Sequence, residues 1–317
     1  MIQVENLTKY YGPRPAISGI TFQAQKGEVL GLLGPNAAGK TTTMRILTGY
    51  MPATSGTARV AGYDVAAQSV EAKRHIGYLP ENVPLYPEMS VREYLGFIAD
   101  LKRIPRKIKR ARIDETLEMA RIANVRDSLI GKISRGYRQR VGIAQALIHR
   151  PDVVILDEPT IGLDPKQIID TRQLIKGLGG EHTVVLSSHI LPEVSMTCNR
   201  IVIINEGKVA AVDTTENLTR RLQGSVRIRV EVRGPRQQVR EVLRRLERVV
   251  AVEAEPGASD GSCVCDVECQ PGADNRERIA AAVVGNGWGL LELRSVGMSL
   301  EDVFLKLTTK EEEVAEA

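Results

Sequence analysis

The chain has 317 residues, of which 43% are hydrophobic, 26% charged and only 4% aromatic, with a formal net charge of +4. That length favours about two domains with sizeable cores. The few aromatics argue against a stacking platform for single-stranded nucleic acid, the charge is too mild and dispersed for a nucleic-acid footprint, and no apolar run reaches the ~18 residues of a membrane-spanning helix.

In chain order, MIQVENLTKYYG reads as a strand without the charged-then-apolar pattern of a secretory leader, so the expected location is the cytosol. EVLGLLG (Glu28–Gly34) is a short buried strand. The GPNAAGKT that starts at its last residue fits G-x-x-x-x-G-K-[ST], between that strand and a helix over Lys40–Leu47 stopped by Gly49. The fixed positions of that pattern match by chance in roughly one chain in a hundred of this length. Backbone N–H groups of such a loop wrap a β-phosphate with the helix dipole behind them. Lys40 can bridge β- and γ-phosphates, and the Thr41 hydroxyl can ligate Mg²⁺. The candidate nucleotide-binding set is therefore Gly34, Pro35, Asn36, Ala37, Ala38, Gly39, Lys40, Thr41 and Thr42.

Between Ser90 and Arg150 strand patterns stop. VREYLGFIADLKRI, KRARIDETLEMARIANV and RGYRQRVGIAQALIHR read as helices, so a helical lobe over about residues 86–150 interrupts an α/β domain. The basic run Lys102–Arg112 reads as a solvated helix face, with contact to anionic lipid or an acidic partner loop as the alternative. In ISRGYRQR, Ser134 and Gly136 stand where a helix over Gly136–His149 begins. Such a start offers free N–H groups and partial positive charge to an anion, yet no lysine, acid or histidine beside it does chemistry alone.

VVILDEPT supplies a buried strand with Asp157 at its carboxyl end, placed to meet a metal beside the phosphate loop, and Glu158 next to it. Two such charges ~4 Å apart repel by about 4 kcal/mol at intermediate dielectric, which a Mg²⁺ ion would offset. Glu158 is then the natural general base for water attacking a γ-phosphate; a purely structural acid pair is the alternative. HTVVLSSH ends a further strand on His189, either structural or, because strand ends of such a sheet converge on one edge, a donor to the γ-phosphate. RIVIINEG is another strand of this mostly parallel sheet.

After about Leu222 the texture changes. SVRIRVEVRG (strand), QQVREVLRRLERV (helix), VVAVEAEP (strand), CVCDVEC (strand), DNRERIAAAVVGNG (helix) and WGLLELRSV (strand) follow one another, the β-α-β-β-α-β order of a small α+β ferredoxin-like unit. A last helix, SLEDVFLKLT, opens on Ser299 as its N-cap, before an acidic tail. The expected domains are 1–220 and 221–317. Cys263, Cys265 and Cys269 alternate along one strand face with Val267, fit no standard zinc spacing, and read as small buried apolar residues.

Taken as an ordered set, these motifs resemble the ATPase subunit of an ATP-binding cassette (ABC) transporter, over residues 1–220. Tyr11 before Gly12 resembles the aromatic residue that stacks on adenine. GPNAAGKTT resembles the Walker A loop, VVILDEPT the Walker B strand, and ISRGYRQR the family signature LSGGQ. IGLDP with Asp164 resembles the D-loop, and His189 the switch histidine. Three motifs depart from the pattern: Ala37 stands where many members have glycine, Arg135 and Tyr137 depart within the signature, and Glu81 of IGYLPE stands where the Q-loop glutamine usually does. A carboxylate at position 81 can accept from water or approach Mg²⁺, but cannot donate as an amide does.

The resemblance implies a P-loop ABC fold with N-terminal antiparallel strands, ATP and Mg²⁺ (Thr41, Asp157, Glu81) as cofactors, and Glu158 and His189 in hydrolysis. It also implies a head-to-tail homodimer in which Ser134 and Gly136 reach the γ-phosphate held by the other copy, with Arg135 of the same signature either adding charge there or facing solvent. With no spanning segment, the transmembrane permease is a separate chain, contacted near Glu81–Leu95, and the subunit sits on the inner face of the cell membrane. RSVGMSLEDVFLKLT resembles the end of ATPase subunits from exporters. The alternatives are a soluble ABC ATPase acting on ribosomes or DNA, and an ATP-dependent switch with negligible turnover. The single cassette and the lack of a heptad insert count against the former.

Overall fold

The computed structural model describes residues 1–214, 217–218, 226–257, 259, 261–270 and 275–296. The expected boundary at Arg220, the helix capped by Ser299 and the acidic tail lie outside these residues. The chain divides into two compact units, the first running to Thr215 and the second beginning at Glu216.

In the first unit β1 (Ile2–Tyr11) and β2 (Arg14–Ala24) form a hairpin, and β3 (Val29–Leu33) leads into α1 (Lys40–Leu47). Next come β4 (Ser55–Val60), β5 (Tyr63–Asp64), α2 (Ser69–Arg74) and β6 (Ile76–Leu79). The helices α3 (Val91–Leu101), α4 (Arg106–Met119) and α5 (Arg135–Leu147) follow, then β7 (Val153–Leu156), α6 (Pro165–Leu178) and β8 (Thr183–Ser188). Last are α7 (Leu191–Thr197), β9 (Arg200–Asn205) and β10 (Lys208–Asp213).

The strands make two sheets. One is antiparallel in the order β2-β1-β4-β5; the other runs β10-β9-β3-β8-β7-β6, parallel throughout except for the antiparallel β10. Every residue of β3, β7 and β8 is buried, which is why these strands read as unbroken apolar runs rather than alternating ones. Their carboxyl ends share one edge, and the loops leaving that edge carry Gly34–Gly39, Asp157–Thr160 and His189.

The helical segment has its own core, built on Tyr94, Leu95, Leu117, Ile122, Val141 and Ile148. A capping box between Ser90 and Glu93 starts α3. The second of these helices differs from the sequence expectation. It begins at Arg106 behind Pro105 and stops at Met119, and Arg121 takes φ 55, so Ala123–Val125 is a separate 3-10 turn. Helix α5 starts one residue earlier than expected, at Arg135, because Ser134 rather than Arg135 takes the extended N-cap conformation.

The second unit holds β11 (Val226–Arg233), α8 (Arg236–Arg244), β12 (Val249–Pro256), β13 (Ser262–Cys269), α9 (Arg276–Gly285) and β14 (Gly289–Val296). Its sheet order β12-β13-β11-β14, with every pairing antiparallel, is that of a ferredoxin-like fold. Ile228, Val230 and Val232 meet Cys263, Cys265, Val267 and Cys269 under α8 and α9, and all three thiols are fully buried. No helix among the described residues is long and apolar enough to cross a membrane.

Candidate functional site

The loop from Gly34 to Gly39 has little conformational choice. A side chain on Gly34 would sit 2.2 Å from the Ile204 carbonyl oxygen. Gly39, the N-cap of α1, takes φ 106, and a Cβ there would lie 2.5 Å from Ile17 Cγ2. Ala37 holds φ 64, a left-handed conformation costing an alanine about 1 kcal/mol relative to glycine. The turn so formed aims the free N–H groups of α1 into a cavity of about 570 Å³ lined by Asn36 to Thr42, Ala16, Glu81, Glu158, Ile161 and His189.

Lys40 is buried at the cavity wall. Its Nζ donates to the carbonyls of Gly34 (2.7 Å) and Pro35 (3.1 Å) and lies 3.5 Å from Glu158 Oε1. The other Glu158 oxygen, Oε2, is 3.0 Å from His189 Nδ1. Glu158 has φ 48, rare for a side chain of its size and held in place because its N–H donates to Ser187 Oγ at 2.9 Å. A carboxylate fixed between a lysine and a histidine at a phosphate-sized cavity can accept a proton from water.

Asp157 lies one residue earlier, 1% exposed. Ser187 Oγ donates to its Oδ1 at 2.6 Å, and Thr41 Oγ1 at 3.4 Å. Its Oδ2 is buried with no hydrogen-bond partner among the described residues. Burial pushes the Asp157 carboxyl above its ordinary value; the Ser187 and Thr41 hydroxyls oppose this, while the charges of Glu158 and Glu81 add to it. An orphaned carboxylate oxygen beside a hydroxyl, at the end of a phosphate loop, fits Mg²⁺, which takes one or two carboxylates and completes its shell with substrate phosphates and water. Glu81 is exposed and lines the same cavity.

The signature residues lie elsewhere. Ser134, Arg135 and Gly136 are not part of the cavity lining around Lys40. Ser134 Oγ accepts from Tyr137 N at 3.4 Å, and its hydroxyl proton has no acceptor among the described residues. The Arg135 guanidinium packs on Gly162, where a Cβ would be 2.4 Å from Cζ, and Gly136 approaches Gln167 equally closely. Asp164 caps α6 by accepting from Gln167 N at 2.9 Å. The ISRGYRQR and IGLDP segments thus pack against each other within the chain. Tyr11 ends β1 half-exposed, donates to Met51 Sδ at 2.9 Å, and does not line the cavity.

Ser187, Thr160 and Glu193 join the site without any motif in the sequence to mark them. Thr160 Oγ1 donates to Glu193 Oε2 at 2.5 Å, and Ser188 Oγ donates to the same oxygen at 3.1 Å. The available signals were the Ser187–Ser188 pair just before His189 and an acid one helical turn beyond it.

The model of the family described as ABC transporter matches residues 17–161. The chain is 32% identical to the linearmycin resistance ATP-binding protein LnrL of Bacillus subtilis (strain 168) over 315 residues, covering 97% of this chain and 98% of that one. It is 33% identical to the Nod factor export ATP-binding protein I of Burkholderia thailandensis over 312 residues, covering 98% and 97% respectively. Among solved structures, the dimeric post-hydrolysis state of the ATP-binding cassette MJ0796 bound to ADP and Pi superimposes with TM-score 0.61 at 26% identity, over 68% of this chain and 98% of that one.

Proposed function

The chain belongs to the ATP-binding proteins of ABC transporters and is an ATPase, and on that premise we propose that two copies close head to tail over two ATP molecules and drive a separate membrane permease in export. The observation that carries the catalytic part is Glu158, held with Lys40 on one oxygen and His189 on the other at the wall of the phosphate-loop cavity. The direction of transport rests on the export and resistance functions named for its full-length relatives.

In this reading the loop Gly34 to Thr42 wraps the β- and γ-phosphates, and Lys40 exchanges the carbonyls of Gly34 and Pro35 for phosphate oxygens. Glu158 takes the proton of the attacking water. His189, through Nδ1, keeps that carboxylate in place, leaving Nε2 for the water or the γ-phosphate. Asp157 and Thr41, with Glu81 on the same cavity, would hold Mg²⁺, which neutralises charge on the phosphate oxygens when bound. Tyr11 stacks on the adenine.

A helix start with an uncommitted hydroxyl proton and no chemistry of its own is half of a composite site. Ser134 and Gly136 of the partner subunit close the γ-phosphate side, aided by the α5 dipole of about +0.5 charge. Because Gly162 packs against Arg135 and Gln167 against Gly136, that closure moves the D-loop with it. The subunit works at the inner face of the membrane through its permease, contacted near Glu81–Leu95, and residues 221–317 form an accessory domain.

Mixing tests the trans site. A Lys40→Ala chain and a Ser134→Arg chain are each inactive, but their mixed dimer places both defects in one site and leaves the other intact. We expect ATPase activity to reappear on mixing; a mixture as inactive as its parts would contradict the head-to-tail arrangement. Co-purification of the chain from membranes with an adjacent multi-span protein tests the permease part.

A further inference from the structure

Glu193 is 5% exposed, on the first turn of α7, and no ion pair joins it among the described residues. Burying a carboxylate without a counter-ion is costly unless strong hydrogen bonds compensate. Here one oxygen, Oε2, receives two hydroxyl protons, from Thr160 at 2.5 Å and from Ser188 at 3.1 Å. Hydrogen bonds to a charged acceptor are shorter and roughly twice as strong as neutral ones.

The two donors come from the two loops that bear the chemistry. Thr160 is two residues after Glu158, in the turn closed by Ile161 N donating to the Glu158 carbonyl at 3.2 Å and by Leu163 N donating to the Thr160 carbonyl at 3.2 Å. That turn continues into Asp164. Ser188 precedes His189 directly, and its Oγ also accepts from Ile190 N at 3.0 Å. All three side chains, Thr160, Ser188 and Glu193, are buried at 5% exposure or less.

We propose that Glu193 is a positioning residue for hydrolysis: its carboxylate ties the turn after Glu158 to the end of β8, and so fixes the distance between the Glu158 carboxylate and His189. The inference rests on the roles given above to Glu158 and His189. It goes beyond them in assigning their spacing to a third acid that touches neither. The same tie transmits D-loop position to His189, because the Thr160 turn runs on to Asp164 and the α6 cap. A misplacement of about 1 Å between reacting groups costs on the order of a hundredfold in rate, so loosening this clamp registers in turnover.

The test uses the full-length chain, with thermal stability checked for each variant. Glu193→Leu, which removes the acceptor oxygens, is expected to lower ATPase kcat about tenfold or more, with the KM for ATP within about twofold of wild type, because the phosphate loop is untouched. Thr160→Val is expected to match it, whereas Thr160→Ser, which keeps the hydroxyl, retains near-wild-type kcat. The double variant Glu193→Leu/Thr160→Val falls no further than the worse single one, since both break one linkage. Wild-type kcat in a folded Glu193→Leu chain, or additive losses in the double variant, overturns the proposal. Should Glu193→Leu fail to fold, the contrast between Thr160→Val and Thr160→Ser decides alone: equal kcat overturns it. If Glu158→Gln keeps full activity, the reading of the site itself fails, which is a separate result.

Discussion

Acid should loosen the helical segment from the sheet through one histidine. His149 follows α5, and its Nε2 lies 3.0 Å from the Ile76 carbonyl oxygen at the start of β6. Burial, then the charge of Lys102 (Nζ 3.4 Å away), pushes its pKa down to about 4, against the opposing hydrogen bond to the Ile76 carbonyl and with a small further push from His182. The folded value lies below the unfolded value of ~6.5, so the unfolded chain takes up this proton first. The neutral ring's contribution is therefore complete above pH ~6.5 and lost as pH falls from ~6.5 to ~4. At 1.36 kcal/mol per unit, the shift amounts to at most about 3 kcal/mol, and to about 1–2 kcal/mol once partial solvent access is allowed for. The chain's single tryptophan, Trp288, lies in the second unit, so hydrogen exchange of α5 and β6 amides is the appropriate probe. Protection in the wild type should fall more steeply between pH ~6.5 and ~4.5 than in His149→Gln, which cannot titrate. Equal slopes in the two proteins would refute the reasoning.

Other consequences can be checked separately. Gly39→Ala places a Cβ 2.5 Å from Ile17 Cγ2 and 2.9 Å from the Ala16 carbonyl oxygen at φ 106, so ATP affinity should drop at least tenfold, measured by titration calorimetry. Ser134→Ala removes the α5 cap and should destabilise the first unit by about 1 kcal/mol, whereas Ser134→Asp keeps a cap but repels phosphate, sparing stability and losing ATP-driven dimerisation. Cys263, Cys265 and Cys269 are fully buried, with burial pushing the Cys265 thiol up to about 12, so maleimide should label them only in denaturant.

The legible parts of the site were those whose residues are contiguous in the chain. GPNAAGKT joins β3 to α1 and VVILDEPT ends β7, so fixed spacing alone placed Lys40, Thr41, Asp157 and Glu158 at one sheet edge. Ser187, Thr160 and Glu193 escaped because hydroxyls and an isolated acid carry no pattern; their meaning arises only when the ends of β7, β8 and α7 converge. The strand β2, one of the expected N-terminal antiparallel strands, carries no clean period-2 signal of its own, because its alternation is interrupted at Gly19, where the backbone turns to φ 66 and the pairing with β1 shifts register. The second unit's β-strands alternate cleanly, as Cys263, Cys265, Val267 and Cys269 show, and so read directly from period 2.

The proposed role of Glu158 is that of the base for ATP hydrolysis in a closed dimer. ATPase turnover of Glu158→Gln, measured beside its oligomeric state with and without ATP, tests it most directly. Turnover should fall on the order of 10²–10⁴-fold while ATP-bound dimers accumulate, since the substitution keeps the side chain's size and removes only its basicity. Turnover near the wild-type rate, or a chain that stays monomeric in ATP, would contradict the account.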